Sequence, residues 1–275
     1  MATLKKIILA GRGTLATKVL DHLIESGIND LVVIPATCLT KDSTQKNLKQ
    51  EAEKRGIKVY NGNASDYQKD VDLAFSIGYN LRFREDFLRK CSGINLHLSP
   101  LPRYGGFNPF YWAIRSGDTE YGVTLHEMGL EFDVGNIISQ KRFSILPSDN
   151  ARDLFDRAGD EALIMFKEIF PSILSGTYAS IPQDLTKKTY YQKDAVDFKE
   201  TIPLEGSTKE LHNRIRATIF PPLPNPKIYL LDRIYSVESS LPHYGVKIDG
   251  SKIIEEDRVL VATTDSSVEL KVKKA

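Results

Sequence analysis

The chain has 275 residues, of which 41% are hydrophobic and 27% are charged, a composition typical of a folded protein. Its formal net charge at pH 7 is +1, so the composition lacks the broad positive charge with which proteins hold nucleic acid. Cys38 and Cys91 have neither metal-site nor redox spacing. The apolar run at residues 7–10 is too short for a signal sequence or a membrane span, so we expect a cytoplasmic protein.

Apolar runs alternate with amphipathic stretches over the first hundred residues. The sequence predicts strands at residues 6–10, 31–35, 57–60, 72–76 and 94–98. It predicts one helix with a buried face of Leu15, Val19, Leu20 and Leu23, a second at 43–55 that ends at Gly56, and a third at 84–90. Strands that alternate with helices predict an α/β fold with a doubly wound, mostly parallel sheet.

A turn of Gly11, Arg12 and Gly13 joins the first strand to the first helix. Backbone N–H groups at such a turn can bind an anion, and Arg12 adds a cation suited to phosphate. Ala16 stands where a dinucleotide-binding fingerprint has its third glycine, and no acidic residue ends the next strand, so NAD binding is set aside. Two interpretations stay open: a phosphate site, or a tight turn beside a solvated arginine.

Two polar side chains share one face of the predicted strand at residues 94–98. Asn95 and His97 alternate there with apolar residues, and side chains two apart in a strand point the same way. The prolines and glycines of residues 100–106 then end the strand and force a turn. An amide and an imidazole before a rigid loop indicate a site in an α/β protein; the alternative is two polar groups that are satisfied by the backbone.

In the middle of the chain, the sequence predicts a short helix at residues 109–115, a local hairpin and a long helix. The hairpin strands, at 122–127 and 137–145, are joined by a turn that contains Asp133. The long helix, at 150–174, has a buried stripe of Leu154, Ala158, Ala162, Met165 and Ile169. A polar, extended stretch at 182–191 follows, and we place a domain boundary within it.

In the C-terminal part, the sequence predicts a helix and several short strands. The helix spans residues 208–217, and the strands are at 227–231, 234–238, 258–263 and 267–272. Short strands separated by turns are typical of an antiparallel sheet. We therefore expect an N-terminal α/β domain at 1–185 and a small β-rich module at 186–275.

Four motifs occur in a fixed order between residues 95 and 135. They are Asn95-Leu96-His97, Ser99-Pro100-Leu101-Pro102-Arg103-Tyr104-Gly105-Gly106, Gly122-Val123-Thr124-Leu125-His126 and Asp133-Val134-Gly135. With them the chain resembles the folate-dependent formyltransferases, the family that includes the glycinamide ribonucleotide and methionyl-tRNA formyltransferases. The match is clear over residues 72–145, although Pro100 and Gly105 replace the family's usual leucine and arginine. The resemblance implies a Rossmann-like formyltransferase fold with the catalytic domain at 1–185.

The resemblance also implies the catalytic residues Asn95, His97 and Asp133. Formyl transfer from 10-formyltetrahydrofolate to an amine passes through a tetrahedral intermediate, whose oxyanion the Asn95 amide can stabilise. His97 can stabilise that oxyanion when protonated or take the amine's proton when neutral. Asp133 can orient His97 and relay protons. No metal is expected, and His126 is interpreted as structural.

Two further sets of residues are expected to contact the ligands. The folate cosubstrate is expected at Asn80, Leu81, Arg82, Phe83, Glu131 and Phe132. For Arg82 and Phe83 the alternatives are a solvated charge and an ordinary core residue. The amine substrate is expected at Gly11, Arg12, Gly13, Arg103, Tyr104, Gly106, Phe107 and Asn108.

The sequence favours one amine acceptor over its competitors. The basic insertion of methionyl-tRNA formyltransferases is missing after the second strand, and glycinamide ribonucleotide formyltransferases normally lack a C-terminal module. Sugar-nucleotide N-formyltransferases fit best, which implies a nucleotide-linked amino sugar of surface-polysaccharide (lipopolysaccharide O-antigen) biosynthesis and neither a nucleic acid nor a membrane partner. Methionyl-tRNA or another small amine is the alternative, and a non-catalytic folate- or nucleotide-binding protein is disfavoured by the intact catalytic residues. A homodimer is one option for the oligomeric state.

Overall fold

The structure is a computed structural model that describes residues 5–37, 42–196, 198 and 200–274. Its helices are α1 Gly13–Glu25, α2 Leu48–Lys54, α3 Glu85–Leu88, α4 Pro109–Ser116, α5 Ala151–Ser175 and α6 Thr208–Thr218. Its strands are β1 Ile7–Gly11, β2 Leu31–Pro35, β3 Lys58–Val59, β4 Leu73–Ile77, β5 Ser92–His97, β6 Gly105–Gly106, β7 Glu120–Glu127, β8 Ile137–Ser144, β9 Tyr190–Tyr191, β10 Lys227–Leu230, β11 Arg233–His243, β12 Lys252–Glu255, β13 Arg258–Ala262 and β14 Ser267–Lys274. Cys38 lies outside the described residues.

The described residues group into two compact units, each built from several chain segments. The first unit takes its residues from Met1–Gly106, Gly122–Phe143 and Arg157–Tyr190. The second takes them from Phe107–Tyr121, Ser144–Asp156 and Tyr191–Ala275. The division into independent domains at 1–185 and 186–275 stays a prediction.

A seven-stranded sheet with the order β3-β2-β1-β4-β5-β7-β8 forms the centre of the first unit. Strands β1, β2, β4 and β5 pair in parallel, and β5 pairs antiparallel with β7. All five residues of β1 and of β4 are buried, as expected of parallel strands covered on both faces. The predicted α/β fold with a mostly parallel sheet is confirmed.

The second helix begins five residues later than predicted. Asn47 accepts a hydrogen bond from the Gln50 N–H at 3.2 Å and so caps α2. Before it, the Asp42 carboxylate accepts hydrogen bonds from the N–H of Thr44 at 2.9 Å and from its hydroxyl at 2.6 Å. The predicted start at residue 43 is wrong because these side-chain oxygens bind backbone N–H groups in a turn and delay the helix.

The long helix α5 confirms most of its predicted buried stripe. Leu154, Ala158 and Ala162 are fully buried. Ile169 is only half-buried, and Phe170 next to it is buried instead. Phe170 stacks on Phe166 with ring centroids 5.5 Å apart, so two aromatic rings form the end of the stripe.

A five-stranded antiparallel sheet with the order β10-β11-β14-β13-β12 lies in the second unit. Its core also receives Leu211 and Ile215 from α6, a helix that begins with a capping box of Ser207 and Glu210. Strand β11 continues past its predicted end through a register shift between Val237 and Ser239. Strand β12 was not predicted from the sequence; all four of its residues are exposed, so no buried-exposed alternation marks it. Among the described helices, none has both the length and the apolar composition of a membrane span.

Candidate active site

The registers of β5 with its two neighbours bring three polar residues side by side in the first unit. Asn95 on β5 stands opposite Ser76 on β4 and His126 on β7. The Asn95 side-chain N–H donates to Nε2 of His126 at 2.9 Å, and Nδ1–H of His126 donates to the Glu127 carbonyl at 2.7 Å. Burial lowers the pKa of His126 to about 4, so this imidazole is neutral near pH 7. His126 therefore orients the Asn95 amide.

His97 and Asp133 form a second pair beside Asn95. Nδ1 of His97 lies 3.4 Å from Oδ1 of Asp133, and the two side chains are 15% and 9% exposed. Nε2 of His97 lies 3.5 Å from the Tyr104 carbonyl, and Oδ1 of Asp133 is also 3.9 Å from Nε2 of His126. The structure thus brings together all three residues that the sequence predicts to be catalytic, with His126 as a fourth member.

The turn that carries Asp133 depends on a close approach to β7. Asp133 has a φ of 61°, in the left-handed region that non-glycine residues rarely adopt. A Cβ at Gly135 would lie 1.8 Å from the Glu127 carbonyl oxygen, so only glycine fits there. Oδ2 of Asp133 accepts a hydrogen bond from the Gly106 N–H at 3.0 Å, which aims the carboxylate. The Asp-x-Gly motif therefore combines a carboxylate that the Gly106 N–H aims with a glycine that lets the turn approach β7.

Thr124 fastens the loop at residues 99–105 to β7. Its hydroxyl donates to the Ser99 carbonyl at 2.7 Å and accepts from the Leu101 N–H at 3.1 Å. The Gln140 side chain adds hydrogen bonds of 2.8 Å to the Leu101 carbonyl and 2.9 Å to the Thr124 hydroxyl. These bonds explain why a threonine stands two residues before His126: it holds the loop at residues 99–105, which leads to Gly106.

A cleft next to these residues contains most of the predicted folate contacts. Its lining includes Leu81, Arg82, Phe83, Glu131 and Phe132, together with Asn95, His126 and Asp133. The Arg82 guanidinium lies 4.9 Å from the centre of the Phe132 ring. Phe83 is also 8% exposed and packs on Phe87, so it belongs to the core as well. Asn80 is not among the lining residues, and its amide donates to the Thr37 hydroxyl at 3.1 Å.

The predicted phosphate site at the first glycine turn is partly filled by protein. The Thr14 N–H, in the first turn of α1, donates to the Gln45 side chain at 3.0 Å. A Cβ at Gly11 would lie 2.2 Å from the Ile77 carbonyl oxygen, so packing alone requires this glycine. The Gln45 carbonyl stands where an anion would meet the helix, and a phosphate at Gly13 would have to displace it. A phosphate role for Gly11, Arg12 and Gly13 stays a prediction.

The other predicted substrate residues divide between the two units. Tyr104 is buried in the first unit, where its N–H donates to the Thr189 hydroxyl at 2.7 Å and its ring lies 4.8 Å from the Arg103 guanidinium. Phe107 and Asn108 belong to the second unit. Phe107 is 44% exposed, and Asn108 has a φ of 54° at the start of α4.

Several residues in and around the site were not predicted from the sequence, among them Gln183 and Tyr190. The Gln183 amide donates to the carbonyls of Asp133 and Gly135 at 3.0 and 2.7 Å. A Cβ added at Gly105 would lie 3.2 Å from the Tyr190 ring, and burial and the Asp133 charge raise the pKa of Tyr190. Both residues lie in the stretch 182–191, within which the sequence predicts a domain boundary. The one signal was Gly105 itself, since the small residue there leaves room for the tyrosine.

Comparisons with known proteins identify the family of this chain. The family model for formyl transferases matches residues 5–169. A methionyl-tRNA formyltransferase of Staphylococcus aureus strain JH1 is 29% identical over 277 residues, which is 96% of this chain and 86% of the relative. An N-formyltransferase from Helicobacter canadensis, solved with folinic acid and dTDP-3-aminofucose, superposes with a TM-score of 0.85 and 25% identity over 98% of this chain and 100% of that chain. WlaRD, a sugar 3N-formyl transferase solved with dTDP and 5-N-formyl-THF, has a TM-score of 0.86 and 24% identity over 98% of both chains.

Proposed function

The chain belongs to the formyl transferase family and is an N-formyltransferase, and we propose that it transfers a formyl group from 10-formyltetrahydrofolate to the amine of a nucleotide-linked amino sugar. The observation that supports this acceptor is the structural similarity to the Helicobacter canadensis enzyme. The similarity covers 98% of this chain and 100% of that one, and the Helicobacter enzyme was solved with a dTDP-linked amino sugar. We place the product in surface-polysaccharide biosynthesis, such as that of an O-antigen.

The reaction needs a donor for the oxygen of the tetrahedral intermediate, and Asn95 is suited to this role. The amine nitrogen attacks the formyl carbon, the carbonyl oxygen takes up negative charge, and the bond from carbon to folate N10 then breaks. The Asn95 amide has two N–H groups, of which one is held by His126 at 2.9 Å. That bond fixes the amide plane and leaves the second N–H to donate to the oxyanion.

His97 and Asp133 are suited to the proton transfers that accompany formyl transfer. The ammonium of the amino sugar must lose one proton before its nitrogen can attack and a second one after the attack, and N10 of the folate must gain a proton as it leaves. Oδ1 of Asp133 lies 3.4 Å from Nδ1 of His97, so the carboxylate is placed to orient the imidazole. Both groups are largely shielded from water, which strengthens their interaction.

The cleft beside Asn95 is suited to the flat ring of a folate. Leu81, Phe83 and Phe132 give it apolar walls, and Arg82 and Glu131 supply charged groups at its lining. Asn95 and Asp133 belong to the same lining, so a ring bound there has its N10 substituent near the proposed catalytic residues. Arg82 currently covers the Phe132 ring, and we expect a bound pterin to compete for that aromatic face.

Methionyl-tRNA is the second candidate acceptor, because the relative from Staphylococcus aureus is 29% identical over 96% of this chain. The formal net charge of +1 argues against it, since proteins that bind nucleic acid rely on an excess of basic residues.

The test is an acceptor panel with purified protein and 10-formyltetrahydrofolate. Amino sugars linked to dTDP, UDP and GDP are compared with methionyl-tRNA and with glycinamide ribonucleotide, and the formylated products are identified by mass spectrometry. We expect turnover with at least one nucleotide-linked amino sugar and none that depends on tRNA. Efficient formylation of methionyl-tRNA alone would overturn the proposal.

A further inference from the structure

Gln183 is the side chain that holds the backbone of the Asp133 turn. Its amide nitrogen donates to the carbonyl of Asp133 at 3.0 Å and to that of Gly135 at 2.7 Å. The two carbonyls lie on either side of Val134, so one amide group bridges the whole turn. All three partners belong to the first unit, although Gln183 is 50 residues from Asp133 in sequence.

The Asp133 turn needs such support because its conformation is unfavourable. A φ of 61° at a non-glycine residue is strained, and a strained residue keeps its geometry only when its surroundings fix it. The Gly106 N–H fixes one carboxylate oxygen at 3.0 Å but does not hold the backbone. The two hydrogen bonds from Gln183 therefore restrain the backbone of the turn, which the contacts of the carboxylate do not.

The segment that carries Gln183 is itself fixed. Ile181 forms backbone hydrogen bonds of 2.8 and 2.9 Å with Ile137 on β8, and the Ser180 hydroxyl donates to the Glu127 carboxylate at 3.0 Å. The side-chain oxygen of Gln183, Oε1, is buried and has no hydrogen-bond partner among the described residues. The amide thus acts there as a donor only.

We propose that Gln183 is a positioning residue, which fixes the Asp133 carboxylate 3.4 Å from His97 by clamping the turn between Asp133 and Gly135. This inference rests on the role that the proposed function gives to Asp133. Gln183 touches neither the folate nor the amine in this account; it acts through Asp133. Its loss is therefore expected to lower kcat with little effect on either KM.

Two variants remove the donors while keeping the size of the side chain: Gln183→Met and Gln183→Glu. We expect kcat to fall about 10- to 100-fold in both, as is typical when a residue that orients a catalytic group is lost, with KM values within about twofold of wild type. Gln68→Met is the matched control, because Gln68 is exposed and its amide donates to a single backbone carbonyl, that of Asp66, at 3.3 Å. In an Asp133→Asn background, Gln183→Met should have almost no further effect on kcat.

The closing experiment measures the positioning directly and needs no substrate. The exchange rate of the Gly106 amide, which donates to the Asp133 carboxylate, is followed by NMR in the wild type, Gln183→Met and Gln68→Met. We expect exchange at least about tenfold faster in Gln183→Met alone, with the buried amides of β5 unchanged. Unchanged exchange at Gly106, or kcat effects that add fully to those of Asp133→Asn, would overturn the proposal. Wild-type protein that fails to formylate the amino sugars would instead contradict the proposed acceptor and leave the exchange result valid.

Discussion

Protonation of His126 is expected to destabilise the fold as the pH falls. Its pKa is lowered from 6.5 to about 4, chiefly by burial, and its Nε2 accepts the hydrogen bond from Asn95. The unfolded chain therefore binds a proton at this position below pH 6.5, whereas the folded chain resists it until about pH 4. The contribution of His126 to the free energy of unfolding is therefore fully present above pH 6.5 and declines as the pH falls towards 4.

The size of the effect follows from the two pKa values. Between pH 7 and pH 5, His126 should lower the free energy of unfolding by about 2 kcal/mol, because a shift of one unit corresponds to about 1.4 kcal/mol. The assay is urea unfolding followed by circular dichroism at both pH values, for the wild type and for His126→Gln. Glutamine keeps an acceptor for Asn95 but does not titrate, and contributions from the other histidines cancel in the comparison. An equal loss of stability in both proteins would refute the reasoning.

Three further predictions concern the site. His97→Ala should lower kcat about 100-fold or more while the melting temperature stays near that of the wild type, and near-normal turnover would remove His97 from the mechanism. Gly135→Ala should lower the free energy of unfolding by about 2 kcal/mol or more, because its Cβ would meet the Glu127 carbonyl; thermal unfolding checks this, and a wild-type melting temperature would contradict it. Arg12→Ala should raise KM for the nucleotide-linked sugar about tenfold and leave KM for the folate unchanged, and an unaltered KM for the sugar would place the diphosphate elsewhere.

The sheet was predictable because parallel strands leave a simple signal. Strand β1 is buried on both faces, so it appears in the sequence as an uninterrupted apolar run. The start of α2 was not predictable from periodicity, because the competing Asp42 turn depends on hydrogen bonds from Thr44. The exposed strand β12 has no buried face to impose an alternating pattern.

The candidate site was only partly predictable for a similar reason. Alternation along β5 places Asn95 and His97 on one face, which local geometry determines. The contact between Asn95 and His126 depends on the register of two strands, and the bond from Gln183 to Asp133 joins residues 50 apart. Nothing in the polar stretch around Gln183 shows its partner, because a single long-range hydrogen bond leaves no periodic pattern. Asn80 precedes Leu81, which lines the cleft, but Asn80 is not among the lining residues and its side chain binds Thr37.

The most direct test of the proposed acceptor is a competition within one reaction. Purified protein receives limiting 10-formyltetrahydrofolate with equimolar dTDP-linked amino sugar and methionyl-tRNA, and both formylated products are measured together by mass spectrometry. We predict that nearly all of the formyl group is found on the sugar, and that Asp133→Asn loses this product. A formyl group found mainly on methionyl-tRNA would contradict the assignment.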